Sequence, residues 1–188
     1  MTEKTKNSEQ IICINCGFCC DGTLFYSGCL EQGERGTLPE KIEKNYFIDK
    51  NKEYFKLPCL YFDKKCTIYN QKKAKICSSY RCQLLFDVED NKMMIKEALQ
   101  LVENAKQARN KIFKIWAKLT GDYDKITFNG LLIKLGYKSK ELNDKKNDSL
   151  ELNILLAQCN VLEALFVKHF KSEKKFMALK GTNNKSEN

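Results

Sequence analysis

Four cysteines lie close together near the start of the chain, in the stretch CINCGFCC at residues 13–20. Further cysteines follow in PCLYFDKKCTIY and CSSYRC, so the first ninety residues hold two dense groups. The eight cysteines of these groups are Cys13, Cys16, Cys19, Cys20, Cys59, Cys66, Cys77 and Cys82. Clustered thiolates are typical ligands of zinc and of iron–sulfur clusters. We therefore predict that these eight residues bind metal.

The spacing leaves zinc and iron both open. Zinc takes four tetrahedral ligands, so the eight cysteines could form one or two zinc sites. Cys13, Cys16 and Cys19 form C-x2-C-x2-C, the local spacing of ferredoxin-type [4Fe–4S] binding, for which Cys59 is a candidate remote ligand. This run favours iron slightly. The side chains of the adjacent Cys19 and Cys20 point in different directions, so each could serve a different centre.

Other chemistry has weaker support in the sequence. C-x2-C is also the spacing of disulfide exchange, but the βαβ context of a thioredoxin-like pair is missing. The only histidine, His169, is remote from the cysteines, which excludes zinc fingers that need two histidines. Cys159 lies on the apolar face of the last predicted helix, and we expect it to be a buried small hydrophobe. The role of the isolated Cys29 stays open.

The N-terminal sequence MTEKTKNSEQ is polar and lacks the apolar run of an export signal. No stretch reaches roughly 18 uninterrupted apolar residues, so the sequence predicts no membrane span. We expect a cytoplasmic protein. In a reducing compartment clustered cysteines are more often metal ligands or catalytic thiols than disulfides.

The net charge is +9, from 33 Lys and Arg against 24 Asp and Glu. Only three of the basic residues are arginines, and arginine is the preferred reader of phosphates and bases. We therefore consider nucleic acid an unfavoured partner and leave a protein partner open. The densest lysine run, from Lys64 to Lys75, lies among the cysteines, where it is either a solvated surface or a partial offset of thiolate charge.

The elements that must position the cysteines belong to an α-rich, irregular fold. We predict a flexible leader (1–10), a cysteine-cluster metal-binding module (11–90), a helical part of the same domain (91–179) and a disordered tail (180–188). The metal would supply folding free energy that the small module lacks in apolar residues. The module is expected to pack against two or three amphipathic helices.

Helical periodicity begins after residue 90. One long helix is predicted to end at Thr120-Gly121, because glycine tolerates the left-handed conformation that terminates helices. A shorter helix is predicted from about Lys125 to Leu135, where Gly136 is expected to stop it, followed by a polar loop. A last helix would start after Asp148 or Ser149. Within the module, LPEKIEKNYF predicts a short helix with Pro39 near its start.

The cysteine pattern resembles the bacterial CxxCxxCC cysteine-cluster family, the YkgJ-like zinc- or iron-chelating domains. The resemblance covers roughly residues 11–90. It rests on CINCGFCC with Gly17, on PCLYFDKKCTIY with Ile68 and Tyr69, and on CSSYRC. It implies that the eight cysteines are the metal ligands. The chain departs from the family pattern at Lys73-Ala74, where the family has Arg-Pro, and at Ser78 and Arg81.

The resemblance also brings two alternatives to a plain metal-binding protein. Flagellin lysine methylases look like distant relatives with a similar cluster motif, so the chain could be a cluster-dependent protein-modifying or redox enzyme. The chain is short and shows no Gly-rich S-adenosylmethionine-binding loop, so the methylase activity is not carried over. The other alternative is a zinc-stabilised module that binds a partner through its helices or lysines.

Overall fold

The computed structural model describes residues 3–122, 126–143 and 150–171. These residues form a mostly helical protein with small antiparallel sheets, which confirms the predicted α-rich class. The elements in chain order are α1 (Glu3–Cys16), β1 (Ser27–Cys29), α2 (Glu40–Glu43), β2 (Tyr46–Asp49), β3 (Lys52–Lys56), β4 (Phe62–Asp63), β5 (Lys65–Cys66), α3 (Lys75–Ser79), α4 (Gln83–Glu89), α5 (Ile95–Thr120), α6 (Phe128–Asn143) and α7 (Leu150–His169).

Two small antiparallel sheets occupy the first half of the chain. Strand β3 is central in the first sheet, with β1 on one side and β2 on the other. Lys50 and Asn51 link β2 to β3 with positive φ angles of 46° and 62°, as in the tight turns that suit twisted hairpins. The second sheet is the hairpin β4–β5, in which Phe62 pairs with Cys66 around Lys64 at a φ of 56°.

The second half of the chain is built around the long helix α5. Its start is capped by the Glu97 side chain, which accepts a hydrogen bond of 2.8 Å from the Met94 backbone N–H. Its end at Thr120 is followed by Gly121 at a φ of 68°, as the sequence predicts. Helices α7 and α1 both pack against α5.

Two hydrophobic cores organise the molecule. The main core joins α1 and the following loop to α4, α5, α6 and α7; its buried members include Ile12, Phe18, Leu84, Val102, Trp116, Phe128, Leu155, Leu162 and Phe166. A second, smaller core lies against the three-stranded sheet and contains Leu30, Ile42, Phe55, Ile68 and Ala74. Side chains from both sides of residue 90 therefore share the main core.

Residues 3–10, which fall within the predicted leader 1–10, are helical and form the first turns of α1, whose Ile12 is buried in the main core. The predicted bounds of the helix before the polar loop are wrong. Helix α6 begins at Phe128 and continues through Gly136 to Asn143, although glycine was expected to stop it. A glycine with ordinary helical φ costs a helix only about 1 kcal/mol, which packing of Leu131 and Leu135 can offset. The predicted caps at 148 and 149 and the tail 180–188 lie outside the described residues.

Helix α7 is long and apolar enough, by length and composition alone, to cross a membrane, and it is the one such helix among the described residues. Core helices of soluble proteins meet the same criterion. The side chains of Leu155, Cys159 and Leu162 are buried in the main core, so one face of α7 packs against the rest of the protein. An opposite face that includes Leu150 and Val161 is exposed.

Candidate metal centre

Helix α1 carries the first two cysteines on one face, because Cys13 and Cys16 are three residues apart. The helix ends at Cys16, and Gly17 turns the chain with a φ of 72° while its N–H donates to the Cys13 carbonyl at 3.2 Å. A Cβ atom at Gly17 would lie 2.6 Å from the Phe62 ring. Both the backbone angle and the packing therefore require glycine here, and the turn leads directly to Cys19.

The β4–β5 hairpin brings two further cysteines to the same region. The Cys59 N–H donates a hydrogen bond of 2.7 Å to the Cys20 carbonyl, and the Phe62 N–H donates one of 2.9 Å to the Cys59 carbonyl. Cys66 lies opposite Phe62 in the hairpin register. These backbone bonds tie Cys20, Cys59 and Cys66 into one small unit.

Two short helices position the last two of the eight cysteines, Cys77 and Cys82. Cys77 lies on α3, in whose first turn its N–H donates to the Ala74 carbonyl at 2.9 Å. Cys82 is the N-cap residue of α4, although its side chain makes no regular capping hydrogen bond. Burial raises the pKa of the Cys82 thiol, and the backbone N–H groups of Leu85 and Leu84 oppose that rise. Such amide groups stabilise a thiolate.

The thiols interact electrostatically in two sets of four. The neighbours that raise the pKa of the Cys19 thiol, after burial, include the other three members of what we call the helix set: Cys13, Cys16, Cys19 and Cys82. Those that raise the pKa of the Cys20 thiol include the other three members of the hairpin set: Cys20, Cys59, Cys66 and Cys77. Cys20 also interacts with the Cys19 thiol, so the two sets are adjacent.

The two sets of cysteines also differ in the hydrophobic core against which they pack. All four members of the helix set pack against the main core. Of the hairpin set, Cys66 packs against the second core, together with Leu57, Tyr61 and Ile76. The two sets thus lie where the two cores approach one another, with the consecutive residues Cys19 and Cys20 at the junction.

Burial raises the pKa of seven of these thiols and so keeps them protonated at neutral pH; they are those of Cys13, Cys16, Cys19, Cys20, Cys59, Cys77 and Cys82. It raises the pKa of the Cys13 thiol to about 12, with a further contribution from Cys82, and raises the pKa of Cys19 well above the usual thiol range. Although Cys77 is exposed as a residue, the protein around its thiol still raises the pKa to about 12. Thiols of this kind are poor nucleophiles, which disfavours disulfide exchange. A metal that bound such thiols would have to displace their protons, which becomes easier as pH rises.

Two cationic side chains lie beside the thiols. The Arg81 guanidinium lowers the pKa of both Cys13 and Cys82 against the larger effect of burial. Arg81 is held in place by ion pairs with Glu9 and with Glu89, the latter at 2.8 Å. The Lys73 ammonium has the same effect on Cys13 and also on Cys77. Positive charge therefore lies beside both sets.

All eight cysteines line one cavity of about 1130 Å³. Among the residues that the structure describes, no three His, Cys, Asp or Glu side chains form a ready group that could hold a metal ion. The donor chemistry nevertheless fits, because each set offers the four thiols that a tetrahedral zinc or a [4Fe–4S] cluster requires.

The remaining two cysteines belong to neither set. Cys29 lies exposed on β1, where its Sγ donates to the Leu30 carbonyl oxygen at 3.6 Å, and it lines the far part of the same cavity. Cys159 is 1% exposed within the main core, which confirms its prediction as a buried small hydrophobe.

The structure divides the predicted cysteines in a way that the sequence did not specify. Cys59, the candidate remote ligand for the run of Cys13, Cys16 and Cys19, lies in the hairpin set, whereas Cys82 lies in the helix set. The adjacency of Cys19 and Cys20 is the sequence signal that pointed to two centres. Lys73 was predicted only as a member of the lysine run, as solvated surface or as a partial offset of thiolate charge, because the sequence does not show which lysine is partly buried.

Comparison of the chain with family models, with curated proteins and with solved structures finds no match. The resemblance to the CxxCxxCC family therefore stays a prediction.

Proposed function

We propose that this protein is a metal-binding protein that holds an iron–sulfur cluster or zinc through eight cysteines arranged as two four-thiolate centres. One observation carries the proposal: thiols from distant parts of the chain line one cavity and interact in two sets of four. Random burial of cysteines would not give two adjacent sets of the size that tetrahedral zinc and cubane clusters require.

The helix set favours iron, because it combines C-x2-C-x2-C with a remote cysteine, as in ferredoxin-type [4Fe–4S] sites. The hairpin set brings its cysteines from a strand hairpin and a short helix, which suits zinc as well as iron. A cytoplasmic location supports both, since reduced thiols are available there for metal. The resemblance to the CxxCxxCC family adds support for the same eight ligands.

A cluster-dependent enzyme of redox or protein-modifying chemistry is the second candidate, and the size of the cavity favours it. Pockets for small molecules commonly enclose about 300–1,000 Å³ and are mostly apolar. The cavity beside the thiols reaches that size and extends to Phe47 and Tyr54 on the sheet. An open coordination position at either centre would support this function, whereas two closed centres would favour a metal-stabilised interaction module.

The test is elemental analysis and absorption spectroscopy of the protein purified without oxygen. We expect metal bound at two centres per chain. A broad band near roughly 400 nm with iron and acid-labile sulfide would identify a cluster, and a colourless protein with about two zinc ions would identify zinc. A folded, fully reduced protein with no stoichiometric metal, and no uptake when zinc or iron and sulfide are added, would refute the proposal.

A further inference from the structure

Lys73 differs in burial from the other lysines of the run from Lys64 to Lys75. It is partly buried, whereas Lys64, Lys65, Lys72 and Lys75 are exposed. It precedes Ala74, which is completely buried and is the N-cap residue of α3. The backbone at this position is therefore fixed, and the side chain lines the cysteine cavity.

The Lys73 ammonium is anchored by Tyr69. Its Nζ donates a hydrogen bond of 2.7 Å to the Tyr69 carbonyl oxygen and lies 4.0 Å from the centre of the Tyr69 ring. A cation over an aromatic face gains about 0.5–2 kcal/mol. The two contacts together hold a point charge in one place, which a solvated lysine would not achieve.

Both residues of this anchored pair line the cavity that all eight cysteines line. Lys73 interacts with Cys13 of the helix set and with Cys77 of the hairpin set. Tyr69 interacts with Cys13 and with Cys66, again one member of each set. Because these interactions fall off with distance, both residues must lie within reach of both sets.

Loading both sets with metal creates an electrostatic problem that Lys73 is placed to relieve. Four thiolates around a divalent ion carry a net charge of about −2, and a [4Fe–4S] cluster with four thiolates is similarly negative. Two such centres, joined through the consecutive Cys19 and Cys20, repel each other at short range. A fixed cation between them stabilises the doubly loaded state more than either singly loaded state.

We propose that Lys73 is a charge-bridging residue that allows the helix set and the hairpin set to hold metal at the same time. This inference rests on the proposed metal-binding function. Lys73 does not ligate metal; its charge favours the binding of metal at each centre. Removal of the charge should therefore weaken both binding steps.

The experiment is a zinc titration of reduced apoprotein in competition with a chromophoric chelator, without oxygen. Wild-type protein should bind two equivalents with similar affinities. In Lys73→Met the affinities for both equivalents should fall, each by about tenfold. Lys73→Gln, which can still donate to the Tyr69 carbonyl, should behave like Lys73→Met. Lys73→Arg should restore both steps, because it keeps the charge.

Lys72→Met is the matched control, since it removes an equal charge from the exposed neighbouring position. It should leave both zinc steps unchanged. Equal affinities in wild type, Lys73→Met and Lys73→Gln would overturn the inference, and so would a failure of Lys73→Arg to restore both steps. Wild-type protein that binds no zinc or iron would instead refute the proposed function, and this inference with it.

Discussion

Gly17 combines two structural requirements at the point where α1 gives way to the cysteine loop. Its φ of 72° lies in the left-handed region. A Cβ atom added to it would lie 2.6 Å from the Phe62 ring. Any larger residue would strain the backbone and also push the β4–β5 hairpin away. Because Phe62 pairs with Cys66, that push would move a member of the hairpin set.

Gly17→Ala should destabilise the protein by about 2–4 kcal/mol, the sum of a left-handed penalty and an overpacking penalty. Gly33→Ala is the control, because Gly33 has a similar φ of 83° but nothing within 4 Å of its added Cβ. It should cost about 1 kcal/mol. Urea unfolding of both reduced proteins measures the difference in free energy of unfolding. Equal losses in the two variants would show that contact with the Phe62 ring does not add to the cost at Gly17.

At the scale of elements, α5 holds the cysteine loop in place through Arg109. Its guanidinium pairs with Asp21, directly after Cys20, and donates a hydrogen bond of 2.7 Å to the Thr23 hydroxyl. It also lies 5.2 Å from the centre of the Phe18 ring. The long helix thus fixes the loop that contains Cys19, a member of the helix set, and Cys20, a member of the hairpin set.

Arg109→Met should destabilise the protein by about 2–3 kcal/mol, because it leaves the Asp21 carboxylate largely buried without its partner. The side chains of Arg109 and Asp21 are only 15% and 17% exposed. Lys118→Met is the control on the same helix. Lys118 pairs with Glu151 at 3.9 Å with exposures of 82% and 60%, so its loss should cost less than about 0.5 kcal/mol. Similar urea midpoints for the two variants would contradict this assignment.

The elements differ in how well the sequence predicted them, for physical reasons. Helix α5 was predictable because its apolar residues recur at helical steps and Gly121 ends it. Helix α1 was not, since its first turns are polar and only tertiary packing of Ile12 and the following cysteines holds it. Helix α6 was predicted too short because Gly136 was taken as a stop, although it has no left-handed φ.

The whole molecule places its cysteines where two cores meet, which no local pattern reveals. The thiol of Cys82, rather than that of Cys59, interacts with the Cys19 thiol because α4 docks beside α1. The placement of Lys73 likewise depends on the way that β5 leads into α3. Residue types and spacing predicted the eight candidate ligands, whereas their division into sets needed the tertiary structure.

The central claim is that two separate four-thiolate centres exist, and one measurement addresses it most directly. Metal content per chain should be determined for Cys16→Ser, which alters the helix set, and for Cys66→Ser, which alters the hairpin set. Each variant should lose about half of the wild-type centres and keep the other centre, because the sets are distinct. Cys159→Ser, a buried cysteine outside both sets, should keep full metal content. Circular dichroism should show that all three variants remain folded. Folded variants that each lose all metal together, or lose none, would contradict the account.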